Sequence, residues 1–155
     1  MDLILTRECY ETLNKKVHDM KYVELPKLSE HIDECRTIGS LDDNPEYYQS
    51  LEDLDRLNKK IDELVIALNS CQIFSKEMIV ENTVMFGATV EFVNCDTDVK
   101  KKYTLVSVYD SDVEKGYISI NSPFAKEMIG LHKGDYFVFR DDEYEITNIY
   151  FSCQE

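Results

Sequence analysis

Two long stretches of the N-terminal half place apolar residues at helical spacing. In the first, Leu13, Val17 and Met20 follow steps of 4 and 3, and Leu28, Ile32 and Cys35 do so again, but the two runs are out of phase. Pro26 lies between them, and an internal proline removes a backbone hydrogen bond and crowds the preceding turn, so a kink or break is predicted near residues 22–26. Thr6 suits the N-cap of this helix, with Leu5 and Tyr10 in the two positions of a hydrophobic staple. In the second stretch Tyr47, Leu51, Leu54, Asn58, Ile61, Val65 and Leu68 alternate steps of 4 and 3, a coiled-coil pattern in which Asn58 would be a register-setting seam residue. Two such helices joined by a short connection predict an antiparallel hairpin. At 1.5 Å per residue, a helix of about 30 residues makes a finger about 45 Å long.

The connection carries its own turn chemistry. Gly39 suits the left-handed residue that closes the first helix, and Asn44 followed by Pro45 reads as an N-cap with proline at the first helical position. Asp42, Asp43 and Glu46 flank the start of the second helix, where the helix dipole favours negative charge by about 0.3 to 1 kcal/mol each. Capping acids on a solvated turn and a metal or partner site both fit this pattern.

After Cys71 the period changes. Residues 72–82 read as a connector, and Ala88, Val90 and Phe92 then alternate with Thr89 and Glu91 as a half-buried strand that ends in a turn at 94–98. Residues 103–108, 117–120, 136–139 and 144–149 are further strands rich in aromatic and β-branched side chains, predicted to form one antiparallel sheet. Ser122 and Pro123 open a short helix that Gly130 closes. The fold class is therefore α+β. Residues 1–75 form a coiled-coil finger with an acidic tip at 39–47, and residues 76–155 form the sheet domain.

Charge narrows the function. The net charge of the 155 residues is −14, and both halves are acidic, with nine basic against sixteen acidic residues in 1–75 and eight against fifteen in 76–155. Autonomous binding to DNA or to anionic membranes is not expected, because phosphate binding relies on clustered Lys and Arg. No stretch approaches the roughly 20 apolar residues of a membrane span, and the N-terminus lacks a signal-peptide pattern, so a cytoplasmic protein is expected. The five cysteines are widely spaced with no Cys-x-x-Cys pair, which indicates neither a zinc site nor a disulfide framework, and Cys35 and Cys71, near apolar helical positions, are expected to be buried free thiols. His18, His31 and His132 are read as sharing no ligand spacing with each other or with a cysteine, so no stably bound metal is expected. Lys100, Lys101 and Lys102 read as a charged strand edge that discourages pairing with other chains.

Three segments, in order and together covering nearly the whole chain, resemble the Gre family of bacterial transcript cleavage factors in its GreA-like form. Residues 39–47, Gly-Ser-Leu-Asp-Asp-Asn-Pro-Glu-Tyr, are similar to that family's Gly-Asp-Leu-x-Glu-Asn-x-Glu-Tyr tip. Residues 86–90, Phe-Gly-Ala-Thr-Val, resemble the start of its C-terminal domain, and residues 118–130 with Gly134 and Asp135 resemble its Ser-Pro-helix-Gly segment. The resemblance implies an N-terminal coiled coil and a C-terminal domain of FK506-binding-protein type, a fold whose prolyl isomerase members use a tryptophan floor that this Trp-free chain lacks.

It further implies a partner, bacterial RNA polymerase, with the C-terminal domain docking beside the secondary channel and the finger reaching the transcript 3′ end. The tip acids, here Asp42 and Asp43, would then share a catalytic Mg²⁺ with the polymerase, which remains the enzyme. Arg36 matches a family arginine and is a candidate RNA contact or a solvated ion pair. Ser122, Pro123 and Phe124 match the docking segment. The tip departs from the family pattern in chemistry: Ser40 replaces an Asp, Asp43 is one methylene shorter than the family's Glu, and Leu51 stands where Lys or Arg is common. Gly39, Asn44 and Glu46 keep its shape. A secondary-channel elongation factor with altered or reduced cleavage stimulation is expected, with channel-blocking inhibition without cleavage and a coiled-coil module unrelated to polymerase as the alternatives.

Overall fold

The computed structural model describes residues 3–37 and 44–151. By their contacts these fall into two compact units, one of residues 10–71 and one of residues 3–9 with 72–151. The division at 75 expected from periodicity therefore differs at the N-terminus. Ile4–Leu5 (β1) pairs in parallel with Gln72–Ile73 (β2), so the first strand belongs with the later part of the chain.

The helical unit begins within Arg7–Asp19 (α1), continues through a π-helical segment, Met20–Glu24, into Leu25–Thr37 (α2), and returns along Pro45–Ser70 (α3). The predicted break at 22–26 is a π turn, and the helix runs on through it. Leu25 N–H bonds the carbonyl of Met20, five residues back. Such a turn absorbs about one extra residue, so the eight steps from Met20 to Leu28 rotate like seven, about two α-helical turns. That brings the out-of-phase stripes back to one face, with Leu13, Val17, Met20, Ile32 and Cys35 all buried. Pro26 follows the π turn directly, so the hydrogen bond it cannot donate is lost where the backbone ladder has already shifted register.

The seam of α3 differs from the expected one. Asn58 is exposed, and Leu51 and Val65 are only half-buried, whereas Ser50, Ile61, Leu64 and Leu68 are buried and Leu57 is half-buried. The seam runs Tyr47, Ser50, Leu54, Leu57, Ile61, Leu64, Leu68, which keeps the same 3 and 4 steps. Two frames share Tyr47, Leu54, Ile61 and Leu68 and differ only in whether 50, 57 and 64 or 51, 58 and 65 fill the remaining positions. The first frame buries Leu64, half-buries Leu57 and leaves the amide of Asn58 in water, avoiding the cost of burying an amide without partners. At 26 residues α3 is about 39 Å long.

The second unit is built on a five-stranded sheet in the order β5-β4-β3-β7-β6. Its strands are β3 (Ala88–Asn94), β4 (Lys100–Val106), β5 (Tyr117–Ser119), β6 (Tyr136–Phe139) and β7 (Asp142–Phe151). The predicted strands are all present, but the sheet is mixed: β4 and β5 run parallel, the others antiparallel. The connection from β4 to β5 crosses over through a 3₁₀ turn at Val113–Lys115 rather than folding back as a hairpin. Between β6 and β7 the chain does fold back tightly, with Arg140 and Asp141 both at positive φ, the geometry of a two-residue primed turn. Lys100, Lys101 and Lys102 lie on the part of β4 that β5 does not pair, and all three are exposed, as expected of a charged edge.

The helix α4 (Pro123–Met128) packs beside β6, and its Ala125 and Met128 are fully buried in the same core as Val90, Leu105 and Ile146. Gly87 has φ +87°, and a Cβ there would stand 3.0 Å from the Phe74 ring, so the glycine serves both conformation and close packing. Gly130, at φ +90°, ends α4 as predicted and donates its N–H to the Val84 carbonyl at 2.9 Å.

Candidate functional site

The two helices of the hairpin are joined beside residues 38–43 by Asn44. Its Oδ1 accepts the Tyr47 N–H at 3.1 Å, the N-cap bond expected from sequence, and Pro45 takes the first helical position. Its Nδ2 donates to the Cys35 carbonyl at 2.8 Å, satisfying one of the orphan acceptors at the end of α2. One side chain thus caps the start of α3 and the end of α2 together. Asn44→Ala is expected to destabilise the helical unit by about 1 to 2 kcal/mol, the top of the range for a cap, because the second bond is lost too. Chemical denaturation followed by circular dichroism at helical wavelengths measures this. An unchanged midpoint would show that neither bond contributes.

Glu46 lies in the first turn of α3, where acid favours the helix dipole, and it also reaches across the hairpin: its Oε1 is 3.2 Å from His31 Nε2. His31 Nε2 is in turn 3.6 Å from Cys35 Sγ, one helical turn further along α2. The ligand atoms of His31, Cys35 and Glu46 all lie within 4.8 Å of one another. The expectation that no histidine shares ligand spacing with a cysteine is therefore overturned. His31 and Cys35 are four residues apart on one face of α2, a spacing legible in the sequence, whereas Glu46 joins them only through the hairpin. Burial pushes the Cys35 thiol above its ordinary range, the carboxylates of Glu46 and Glu34 push it the same way, and a hydrogen bond with Ser50 opposes them.

Arg36 is exposed, 3.8 Å from Asp33 on the same helix, with its guanidinium 6.0 Å from the centre of the Tyr47 ring. Both contacts are in water and weak, which leaves the guanidinium accessible to an anion. Gly39, Ser40, Asp42 and Asp43 lie outside the described residues.

In the second unit, Ser122 caps α4 by accepting the Ala125 N–H at 3.3 Å, and its hydroxyl donates to the Ser119 carbonyl at 2.8 Å. Pro123 is exposed at the head of that helix. Phe124 is half-buried and meets five rings, those of Phe92, Tyr103, Phe137, Phe139 and Tyr144, at centroid distances of 5.0 to 5.7 Å. An open pocket of about 240 Å³ lies beside it, walled by Phe92, Tyr103, Phe124 and Tyr144 and rimmed by Asn94 and Lys101. Phe124 is thus chiefly a packing residue with one edge on a surface pocket. Sequence reasoning singled out Phe124 but not the other walls of that pocket, which come from three different strands. Among the described residues, no helix is long and apolar enough to cross a membrane.

Comparison with known proteins follows the same two-part division. Residues 3–73 match the family described as transcription elongation factor, N-terminal, and residues 79–151 match transcription elongation factor, GreA/GreB, C-terminal. The transcription elongation factor GreA of Nautilia profundicola is 35% identical over 131 residues, covering 84% of this chain and 81% of that protein. GreA of Helicobacter hepaticus is 33% identical over 151 residues, covering 95% and 93%. Among solved structures, GreA factor homolog 1 of Thermus thermophilus aligns with 97% of this chain and 99% of its own at 19% identity, with a TM-score of 0.47.

Proposed function

The chain belongs to the GreA/GreB family of transcription elongation factors, and on that premise we propose that it binds bacterial RNA polymerase at the secondary channel and stimulates transcript cleavage weakly. The observation that carries the reading is the Asn44 joint, which ties the end of α2 to the start of α3 around the six-residue segment holding Asp42 and Asp43. A segment framed in this way can present carboxylates at the end of a stiff helical pair. The C-terminal unit offers Pro123, exposed at the head of α4, and the edge of Phe124 as the docking surface. Arg36 pairs with phosphate near the transcript 3′ end. The factor works in the bacterial cytoplasm and is not itself the nuclease.

The donor set at the tip suits Mg²⁺, because Asp42 and Asp43 supply hard carboxylate oxygens, whereas the imidazole and thiol of His31 and Cys35 do not. In a two-ion site Mg²⁺ supplies Lewis acidity to phosphoryl transfer. Asp42 and Asp43 would hold that ion from the factor's side, and the Ser40 hydroxyl, neutral where the family pattern has a carboxylate, adds little. This is the physical basis for weak cleavage.

Stalled, backtracked elongation complexes test the reading. The purified protein is expected to bind polymerase and to shorten the RNA from its 3′ end more slowly than a family member carrying Asp at the Ser40 position. Failure to co-purify with polymerase would overturn the docking assignment. Occupancy with no RNA shortening would favour a channel-blocking inhibitor, and shortening at the rate of the Asp-bearing factor would remove the case for weakness.

A further inference from the structure

We propose that His31, Cys35 and Glu46 form a binding site for a borderline transition-metal cation, Zn²⁺ by its ligand chemistry, that clamps α2 to α3 beside the tip. Zn²⁺ takes imidazole nitrogen at about 2.0–2.1 Å, thiolate sulfur at about 2.3 Å and carboxylate oxygen at about 2.0–2.2 Å in tetrahedral geometry. A tetrahedron of those bond lengths has nitrogen-to-sulfur edges of about 3.5–3.6 Å and nitrogen-to-oxygen edges of about 3.3–3.5 Å. The observed separations are 3.6 Å from His31 Nε2 to Cys35 Sγ and 3.2 Å from His31 Nε2 to Glu46 Oε1. All three ligand atoms lie within 4.8 Å of one another, so a small movement of the exposed Glu46 side chain completes the face of the tetrahedron.

The backbone holds these groups in place. His31 and Cys35 project from successive turns of one helix, the i, i+4 spacing used by paired metal ligands, and Glu46 enters from the first turn of the facing helix. Cys35 is 5% exposed and cannot swing away, while the half-exposed His31 and exposed Glu46 give an ion a path from solvent. Three protein ligands leave the fourth position to water. On binding, the Cys35 thiol gives its proton to solvent and His31 binds neutral through Nε2. The set is too soft for Mg²⁺ or Ca²⁺, which separates this site from the carboxylates of Asp42 and Asp43. An occupied site would add a cross-link between the helix ends that Asn44 already joins. It does not depend on the polymerase reading.

The test uses the full-length protein, stripped with chelator and kept reduced, with Co²⁺ as the spectroscopic probe and Zn²⁺ as competitor. One equivalent of Co²⁺ is expected to give the visible bands of tetrahedral cobalt together with a thiolate-to-cobalt charge-transfer band, and Zn²⁺ is expected to abolish both. Cys35→Ser removes the charge-transfer band, and His31→Ala weakens Co²⁺ binding by more than about tenfold, since even outer-shell partners of a ligand are worth that much. His31→Ala substitutes a half-exposed helical residue by the best helix former, so its helical circular dichroism should be retained and the loss read as a loss of binding. Cys95→Ser, in the other unit, leaves the spectrum unchanged. The proposal is overturned if the unaltered protein shows no thiolate-to-cobalt band, if the band survives Cys35→Ser, if His31→Ala binds Co²⁺ as tightly as the parent, or if millimolar Mg²⁺ displaces the cobalt.

Discussion

Ser40→Asp is expected to raise the rate of transcript cleavage in backtracked elongation complexes by about tenfold to a hundredfold, or about 1.4 to 2.8 kcal/mol of transition-state stabilisation. The substitution replaces a neutral hydroxyl by a carboxylate two positions before Asp42, adding a third acid to the proposed ion-binding segment. A formal negative charge close to a divalent cation in a site with restricted water is worth several kcal/mol of attraction. Part of that is offset by taking the carboxylate out of water. Asp43→Asn supplies the converse: the remaining cleavage should fall by a similar factor, because the amide keeps the shape and loses the charge. The two substitutions together should land near the Asp43→Asn level if both acids serve one ion, since ligands of a single centre act as a unit. Rates are read as RNA shortening at saturating factor, so that altered polymerase affinity does not enter. A Ser40→Asp protein no faster than its parent would show that the missing carboxylate is not what limits cleavage.

Phe92→Ala is expected to destabilise the C-terminal unit by about 3 to 5 kcal/mol, the cost of removing a large buried ring from a packed core. Phe92 is 2% exposed on the central strand β3. Its ring lies 5.3 to 6.2 Å from those of Tyr103, Phe124, Phe137 and Tyr144, gathering side chains from α4 and three other strands. The surrounding rings are held by their own strands and cannot collapse far into the space left behind. Against a typical domain stability of about 5 to 15 kcal/mol, such a loss removes much of the margin. Tyr150→Ala, on the same sheet but 37% exposed, serves as the comparison and should cost far less. Urea unfolding followed by near-ultraviolet circular dichroism reads the aromatic cluster without the helical signal of the hairpin. Equal midpoints for Phe92→Ala and the parent would mean that the ring cluster does not hold the unit together.

Much of this molecule is written in local chemistry. The caps Thr6, Asn44 and Ser122, the helix starts at Pro45 and Pro123, and the stop at Gly130 act within a few residues of themselves, and each is found where its neighbours require it. The strands are legible from their aromatic and β-branched content, but burial departs from strict alternation: Thr89 is buried between Ala88 and Val90, and Ile146 and Ile149 are buried three residues apart across a register shift opposite Glu91 and Phe92. The acidic segment, with Ser40 beside Asp42 and Asp43, is likewise a property of the chain as written.

What the tertiary structure decided are the choices between locally equal alternatives. The heptad of α3 admits two frames with the same spacing, and only packing against a partner helix selects the one that buries Leu64 and releases Asn58. The direction of β5 relative to β4 depends on where a crossover returns the chain, which side-chain alternation does not encode. The phase slip at Pro26 is resolved by a π turn because continuing the buried stripe is worth more than ideal helix geometry. His31 and Cys35 can be paired by counting along one helix, but Glu46 meets them only once the hairpin closes. Sequence by itself determined the long helices, the five strands of the main sheet, their caps and the charge of the tip, but not the short β1–β2 pair. The fold determined which faces meet, because burial is a property of pairs of surfaces that no single segment contains.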